Sequence, residues 1–99
     1  MGNLDNHVAI VTGSATGIGY GIAKRLASEG ANIVMVDLDA EMTEQSASEL
    51  ASRGSSVEIS LGDVSDPLTA QEAASKALDR WGRIDIPVSY THLTLPTKA

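Results

Sequence analysis

The sequence predicts an α/β protein built on a doubly wound parallel sheet. Three observations predict it. Short runs of β-branched and aliphatic residues alternate with longer stretches at helical spacing. The first of these runs is continuously apolar, as a strand covered on both faces is. A glycine-rich segment stands between that run and the helical stretch after it. Parallel strands need crossover connections, and helices of this length supply right-handed ones. The expected order is βαβαβαβ, with the fourth strand cut short soon after it begins.

His7-Val8-Ala9-Ile10-Val11-Thr12 reads as the first, buried strand. Gly13 to Gly19 is a glycine-rich turn, and from Ile18 the residues Ile22, Ala23, Leu26 and Ala27 recur at helical spacing until Gly30, a residue suited to ending a helix. Asn32-Ile33-Val34-Met35-Val36-Asp37 is the second strand. Asp39 can cap a second helix, with Ala47, Leu50 and Ala51 on its inner face and a stop at Gly54. Ser56-Val57-Glu58-Ile59-Ser60-Leu61 alternates, which suits an edge strand with one wetter face. Asp66-Pro67 pairs a cap with a proline at the first helical position. The third helix then runs to Trp81 with Ala70, Ala74, Ala77 and Trp81 on one side, and Gly82 ends it. Arg83-Ile84-Asp85-Ile86 opens the fourth strand.

Composition narrows the function. The 99 residues allow one small domain. A net charge of −6 argues against nucleic-acid binding, which depends on neutralising phosphates. No apolar run reaches the roughly 18 residues of a membrane span. The first residues show no basic patch followed by an apolar core, so the expected location is the cytoplasm. No cysteine means no disulfide, thiol catalysis or thiolate metal site. His7 and His92 are isolated, so no metal site is expected.

The chemistry is concentrated in Thr12-Gly13-Ser14-Ala15-Thr16-Gly17-Ile18-Gly19. A strand-to-helix turn directs free N–H groups and the positive end of a helix at one point, where a pyrophosphate is stabilised. Glycine is needed because a Cβ blocks the phosphate or forces an unfavourable φ. The competing reading is an ordinary tight turn. Asp37 stands 18 residues beyond Gly19, close to the offset of a carboxylate that accepts hydrogen bonds from an adenosine ribose. That carboxylate repels a 2′-phosphate, and neither Thr16 nor Leu38 offers a positive charge, so NAD is expected rather than NADP. The competing reading is that Asp37 caps the following turn. Asp39 lies close by and suits the helix cap better.

With these motifs in place, residues 1–86 resemble the N-terminal part of a short-chain dehydrogenase/reductase, a Rossmann-type fold. The family pattern Thr-Gly-x3-Gly-Ile-Gly is matched by Thr12, Gly13, Gly17, Ile18 and Gly19. The Asp-Val after the third strand is matched by Asp63-Val64, and Trp81-Gly82-Arg83-Ile84-Asp85-Ile86 resembles the approach to the fourth strand. The resemblance implies the strand order 3-2-1-4. It implies that Ser14, Ile18 and their neighbours bind pyrophosphate, Asp37 the adenine ribose, and Asp63 and Val64 the adenine. Read alone, Asp63 is also a plain turn residue after Gly62. The family's Asn-Asn-Ala-Gly is absent, since Ser89-Tyr90-Thr91-His92 stands there, and its catalytic Ser, Tyr and Lys lie far downstream of these residues. Tyr20-Gly21-Ile22-Ala23-Lys24 spells Tyr-x3-Lys, but beside the phosphate turn, remote from hydride transfer.

The parent enzyme implied is an NAD-dependent oxidoreductase acting on an alcohol or ketone, assembled as a dimer or tetramer. The 99 residues by themselves are expected to be inactive. They are also expected to be molten or aggregating alone, because an uncovered fourth strand leaves an apolar edge. A non-catalytic nucleotide-binding module and a methyltransferase with a similar start are the alternatives. A P-loop nucleotidase is excluded, because no Gly-Lys-Ser/Thr follows the loop.

Residues 87–99 have no helical period and no core face. GTC TCT TAT ACA CAT CTG ACG CTG CCG ACG, from a common transposase sequencing adapter, encodes Val88 to Thr97 in order, and the preceding adapter bases permit Pro87. This tail is therefore expected to be adapter read-through.

Overall fold

The computed structural model describes residues 4–13, 17–63 and 65–89, the last three by their backbone. Seven elements follow one another: β1 (Val8–Thr12), α1 (Gly17–Ser28), β2 (Asn32–Asp37), α2 (Ala40–Ser52), β3 (Val57–Leu61), α3 (Pro67–Trp81) and β4 (Ile86–Ser89). The strands form one parallel sheet in the order β3-β2-β1-β4. β1 pairs with β2 from Val8↔Asn32 to Thr12↔Val36, so their C-terminal ends finish side by side.

The two-residue period of a strand divides the core between the faces. Ala9 and Val11 of β1 and Ile33 and Met35 of β2 pack with Ala23 and Ala27 of α1 and Ala47 and Leu50 of α2. Val8, Val34 and Val36 turn the other way and meet Ala73 and Ala77 of α3. Every β2 residue from Ile33 to Val36 is buried, as its unbroken apolar run requires.

The helix ends follow from local chemistry. The Asp39 carboxylate accepts from the Met42 N–H and caps α2, and Asp66 accepts from the Leu68 N–H with Pro67 as the first residue of α3. α1 gives way to a turn at Gly30, where φ is 101° and a Cβ would run into the Asp5 carboxylate. α3 ends on Gly82 in the left-handed conformation, its N–H donating to the Leu78 carbonyl.

Two helix faces differ from expectation. α3 buries Thr69, Ala73 and Ala77, whereas Ala70 is exposed and Ala74 and Trp81 are half-buried. The start of α3 sits directly on the backbone of Gly62, where a Cβ would come within 2.6 Å of Thr69 Oγ1, and this contact sets the helix rotation. Trp81 packs at the side of the sheet with Ile10 and Ile84 and stacks under the Arg80 guanidinium. In α2, Ala51 is exposed and Thr43 takes a buried place, its hydroxyl satisfied by the Asp39 carbonyl at 2.6 Å.

The fourth strand also begins later than expected, at Ile86 rather than Arg83. Asp85 is occupied in a different way. Its N–H donates to the Val8 carbonyl at 2.9 Å, while its carboxylate accepts from the Val8 N–H at 2.8 Å and from the Arg83 guanidinium. A side-chain oxygen thus takes the place of a backbone acceptor, and residues 83–85 tether the chain to β1 ahead of the strand. β4 then continues through Pro87 to Ser89, in register with Ile10 and Thr12. Among the described residues β4 pairs only with β1. An edge strand tolerates proline, because the missing donor can face the open side.

Candidate functional site

The residues singled out from the sequence gather at the C-terminal ends of the parallel strands, where open α/β sheets hold their ligands. β1 passes from Thr12 into Gly13, whose φ of 63° few other residues adopt. α1 begins at Gly17, with φ 64°. A Cβ on Gly17 would meet no described atom within 4 Å. The first turn of α1 carries no acidic residue to oppose an anion at its positive dipole end. Gly19 is buried within the helix, which allows close approach of α1 to the sheet, and Ile18 leaves 61% of its surface exposed. Ser14, Thr16 and Val64 lie outside the described residues.

β1 is also where the sheet changes direction. α1 and α2 cover one face and α3 the other, and the strands succeed one another outward on either side of β1. Such a switch point opens a crevice between diverging connections.

Asp37 ends β2, one strand over from the glycine turn. Its Oδ1 accepts the Leu38 N–H at 2.7 Å, so the carboxylate braces its own turn as well as standing at the sheet's end. Helix capping falls to Asp39 instead. Leu38 is 69% exposed, a second large apolar side chain left in solvent at this end of the molecule.

Asp63 follows β3. Its Oδ1 accepts from both the N–H (2.9 Å) and the hydroxyl (2.7 Å) of Ser65. These bonds hold its carboxyl below the usual carboxylate range, the hydroxyl bond contributing most. Asp63 thus shapes the loop into α3 in addition to standing at the strand end. Gly62, to which the sequence assigns no role of its own, ties the two acidic positions together: its N–H donates to the Asp37 carbonyl at 3.0 Å. A glycine directly after a strand and before an acid was the available signal.

Tyr20 and Lys24 face away from this turn, toward α2. The Tyr20 hydroxyl donates to Glu49, and the Lys24 ammonium lies 5.5 Å from the Tyr20 ring centre. Partial burial and the Glu49 hydrogen bond push the Tyr20 phenol up to about 12. Among the described residues, no three His, Asp or Glu side chains are grouped to hold a metal, and no helix is long and apolar enough to cross a membrane.

Known proteins resemble this chain in sequence and fold. The short chain dehydrogenase family pattern matches residues 7–90. The oxidoreductase UcpA of Escherichia coli is 40% identical over 89 residues, covering 90% of this chain and 34% of that protein. D-threitol dehydrogenase of Mycolicibacterium smegmatis is 43% identical over 86 residues, covering 87% of this chain and 33% of that protein. The L-sorbose reductase of Gluconobacter frateurii, solved with NADPH and L-sorbose, superposes with a TM-score of 0.82 at 31% identity, over 87% of this chain and 33% of that one. The chain spans about a third of the length of these relatives. With the family pattern spanning most of its length, and the glycine turn, Asp37 and Asp63 standing at the ends of successive strands, the chain belongs to the short-chain dehydrogenase family.

Proposed function

We propose that this chain is the cofactor-binding part of an NAD-dependent oxidoreductase that moves a hydride between the nicotinamide and a hydroxyl-bearing carbon or carbonyl of a small molecule. One observation carries the reading. Two glycines with left-handed backbone, Gly13 at the end of β1 and Gly17 at the start of α1, stand at the N-terminus of that helix, and an acidic residue ends the adjacent strand.

The residues present fit a dinucleotide. Thr12, Gly13, Gly17, Ile18 and Gly19, with Ser14 and Thr16, would cradle the pyrophosphate through backbone N–H groups. Asp37 would accept hydrogen bonds from the adenine ribose hydroxyls. Leu38, Asp63 and Val64 would border the adenine, and the exposed Leu38 would lose its contact with water against the ring. The bound cofactor supplies the hydride acceptor or donor. A carboxylate at Asp37 opposes a 2′-phosphate, which supports NAD over NADP. The sorbose reductase was solved with NADPH, and that cofactor belongs to that protein.

Catalytic Ser, Tyr and Lys in the family's arrangement are supplied, on this reading, by the natural sequence that follows residue 86, as are the substrate pocket and the oligomer contacts. The functional unit here is residues 1–86, a cytoplasmic segment in origin. Residues 87–99 are adapter-encoded. Val88 is aliphatic and stands in register with Val11, so β4 accepts such a segment for a few residues.

The test is equilibrium binding to the full-length protein carrying this segment. Enhanced and blue-shifted NADH fluorescence, with no binding of S-adenosylmethionine, supports the reading. Binding of S-adenosylmethionine without NADH overturns it in favour of a methyltransferase. NADH binding without turnover on any secondary alcohol or ketone points to a nucleotide-sensing module instead.

A further inference from the structure

Among the described residues β3 is one of the two outer strands of the sheet, and an outer strand offers unpaired backbone groups to any other strand. Its inward groups are accounted for. The Ile33 N–H donates to the Ser56 carbonyl and the Gly62 N–H to the Asp37 carbonyl, so even-numbered residues of this segment face β2. Val57, Ile59 and Leu61 therefore turn their backbone groups outward.

Two of the outward carbonyls are taken by α3. Lys76 Nζ donates to the Ile59 carbonyl at 2.7 Å, and Arg80 Nη1 donates to the Val57 carbonyl at 3.0 Å. Lys76 and Arg80 are one helical turn apart and so lie on the same flank of α3, at the spacing of alternate strand carbonyls. Arg80 is further fixed by Glu58 at 2.8 Å and by its stacking on Trp81. Both side chains bend round the rim of the sheet from the face that α3 covers.

We infer that Lys76 and Arg80 are an edge guard, which keeps β3 from pairing with β3 of a second copy of this chain. A second β3 adding antiparallel needs the Val57 and Ile59 carbonyls as acceptors, and both are occupied. It would also bring two more cations against these two. What the guard excludes is set by the strand itself. Val57, Ile59 and Leu61, which turn their backbone outward, carry no charge, and Val57 and Ile59 favour strand conformation.

The test uses the full-length protein with Lys76→Ala and Arg80→Ala together. Sedimentation is expected to show association that rises with concentration beyond that of the unsubstituted protein. Backbone amide exchange at Val57, Ile59 and Leu61 should slow roughly tenfold or more as the strands pair. The swap Lys76→Arg with Arg80→Lys retains both donors and is expected to leave association unchanged. An unaltered association state in the folded double variant overturns the inference. So does association without slowed exchange at those three amides, or association in the swap variant. Should the double variant fail to fold, Lys76→Ala alone frees the Ile59 carbonyl and is read by the same two measurements.

Discussion

The Gly62 N–H donates to the Asp37 carbonyl at 3.0 Å, and this bond joins the two acidic strand ends of the site. It closes the last rung between β2 and β3 and leads the chain directly into Asp63. The same glycine is pressed against Thr69, which rotates α3 into place. One residue without a side chain therefore couples the geometry of the site to the packing of the opposite face.

Gly17→Ala tests the phosphate turn. A non-glycine residue at φ 64° costs about 1–2 kcal/mol, and the added methyl would meet no described atom within 4 Å. In the full-length protein the variant is expected to lower the midpoint of thermal unfolding modestly and to weaken cofactor affinity by more than the stability loss explains. Calorimetry and NADH titration separate the two. Unchanged affinity would show that the turn does not touch the cofactor.

Acid should loosen the tether before β4. The Arg83 guanidinium, with help from the Val8 N–H, holds the Asp85 carboxyl below its ordinary value of 3.8. Its contribution to stability is therefore fully present above about pH 4 and is lost as pH falls through the lower folded-state value. Asp63 acts in the same direction through Ser65. Asp85→Asn is expected to flatten the decline in unfolding midpoint between about pH 5 and pH 2, measured by circular dichroism. A decline as steep as in the unsubstituted protein would contradict this.

Two core substitutions should move stability in opposite directions. Leu50 is 1% exposed between α2 and the sheet, and Leu50→Ala is expected to cost about 2–5 kcal/mol. Ser60 is equally buried, and its hydroxyl has no hydrogen-bond partner among the described residues. Removing an unsatisfied buried hydroxyl relieves a desolvation cost, so Ser60→Ala should stabilise by about 1 kcal/mol. Chemical denaturation of both variants measures the pair, and a destabilised Ser60→Ala would reveal a partner for that hydroxyl.

The source DNA should diverge from adapter sequence at codon 87. Re-amplification across that codon is expected to give a reading frame that continues past residue 86 into Asn-Asn-Ala-Gly and, later, Tyr-x3-Lys. A native genomic read that still encodes Pro87 to Ala99 would contradict it.

What was legible in the sequence was what local chemistry decides. Asn32–Asp37 is a strand with the expected bounds, because a run of β-branched residues between Gly30 and Asp39 has no other local use. Asp39 and Asp66 cap their helices as their positions require. The left-handed glycines at Gly13 and Gly17 fall where the motif places them. Helix rotation was not legible, because it depends on Gly62 meeting Thr69 and on Thr43 finding the Asp39 carbonyl. The late start of β4 depends on Asp85 reaching Val8, 77 positions away in the chain. Lys76 and Arg80 read as ordinary solvent-facing charges until the rim of β3 is seen beneath them.

The role proposed for Asp37 in choosing the cofactor is measured by steady-state kinetics on the full-length protein. The ratio of kcat/KM for NADH over NADPH would be compared between the unsubstituted protein and Asp37→Ala. A preference for NADH of more than about tenfold, equivalent to about 1.4 kcal/mol, is expected, and it should collapse in the variant as NADH use falls and NADPH use rises. A preference for NADPH in the unsubstituted protein, or a ratio indifferent to Asp37→Ala, would contradict it.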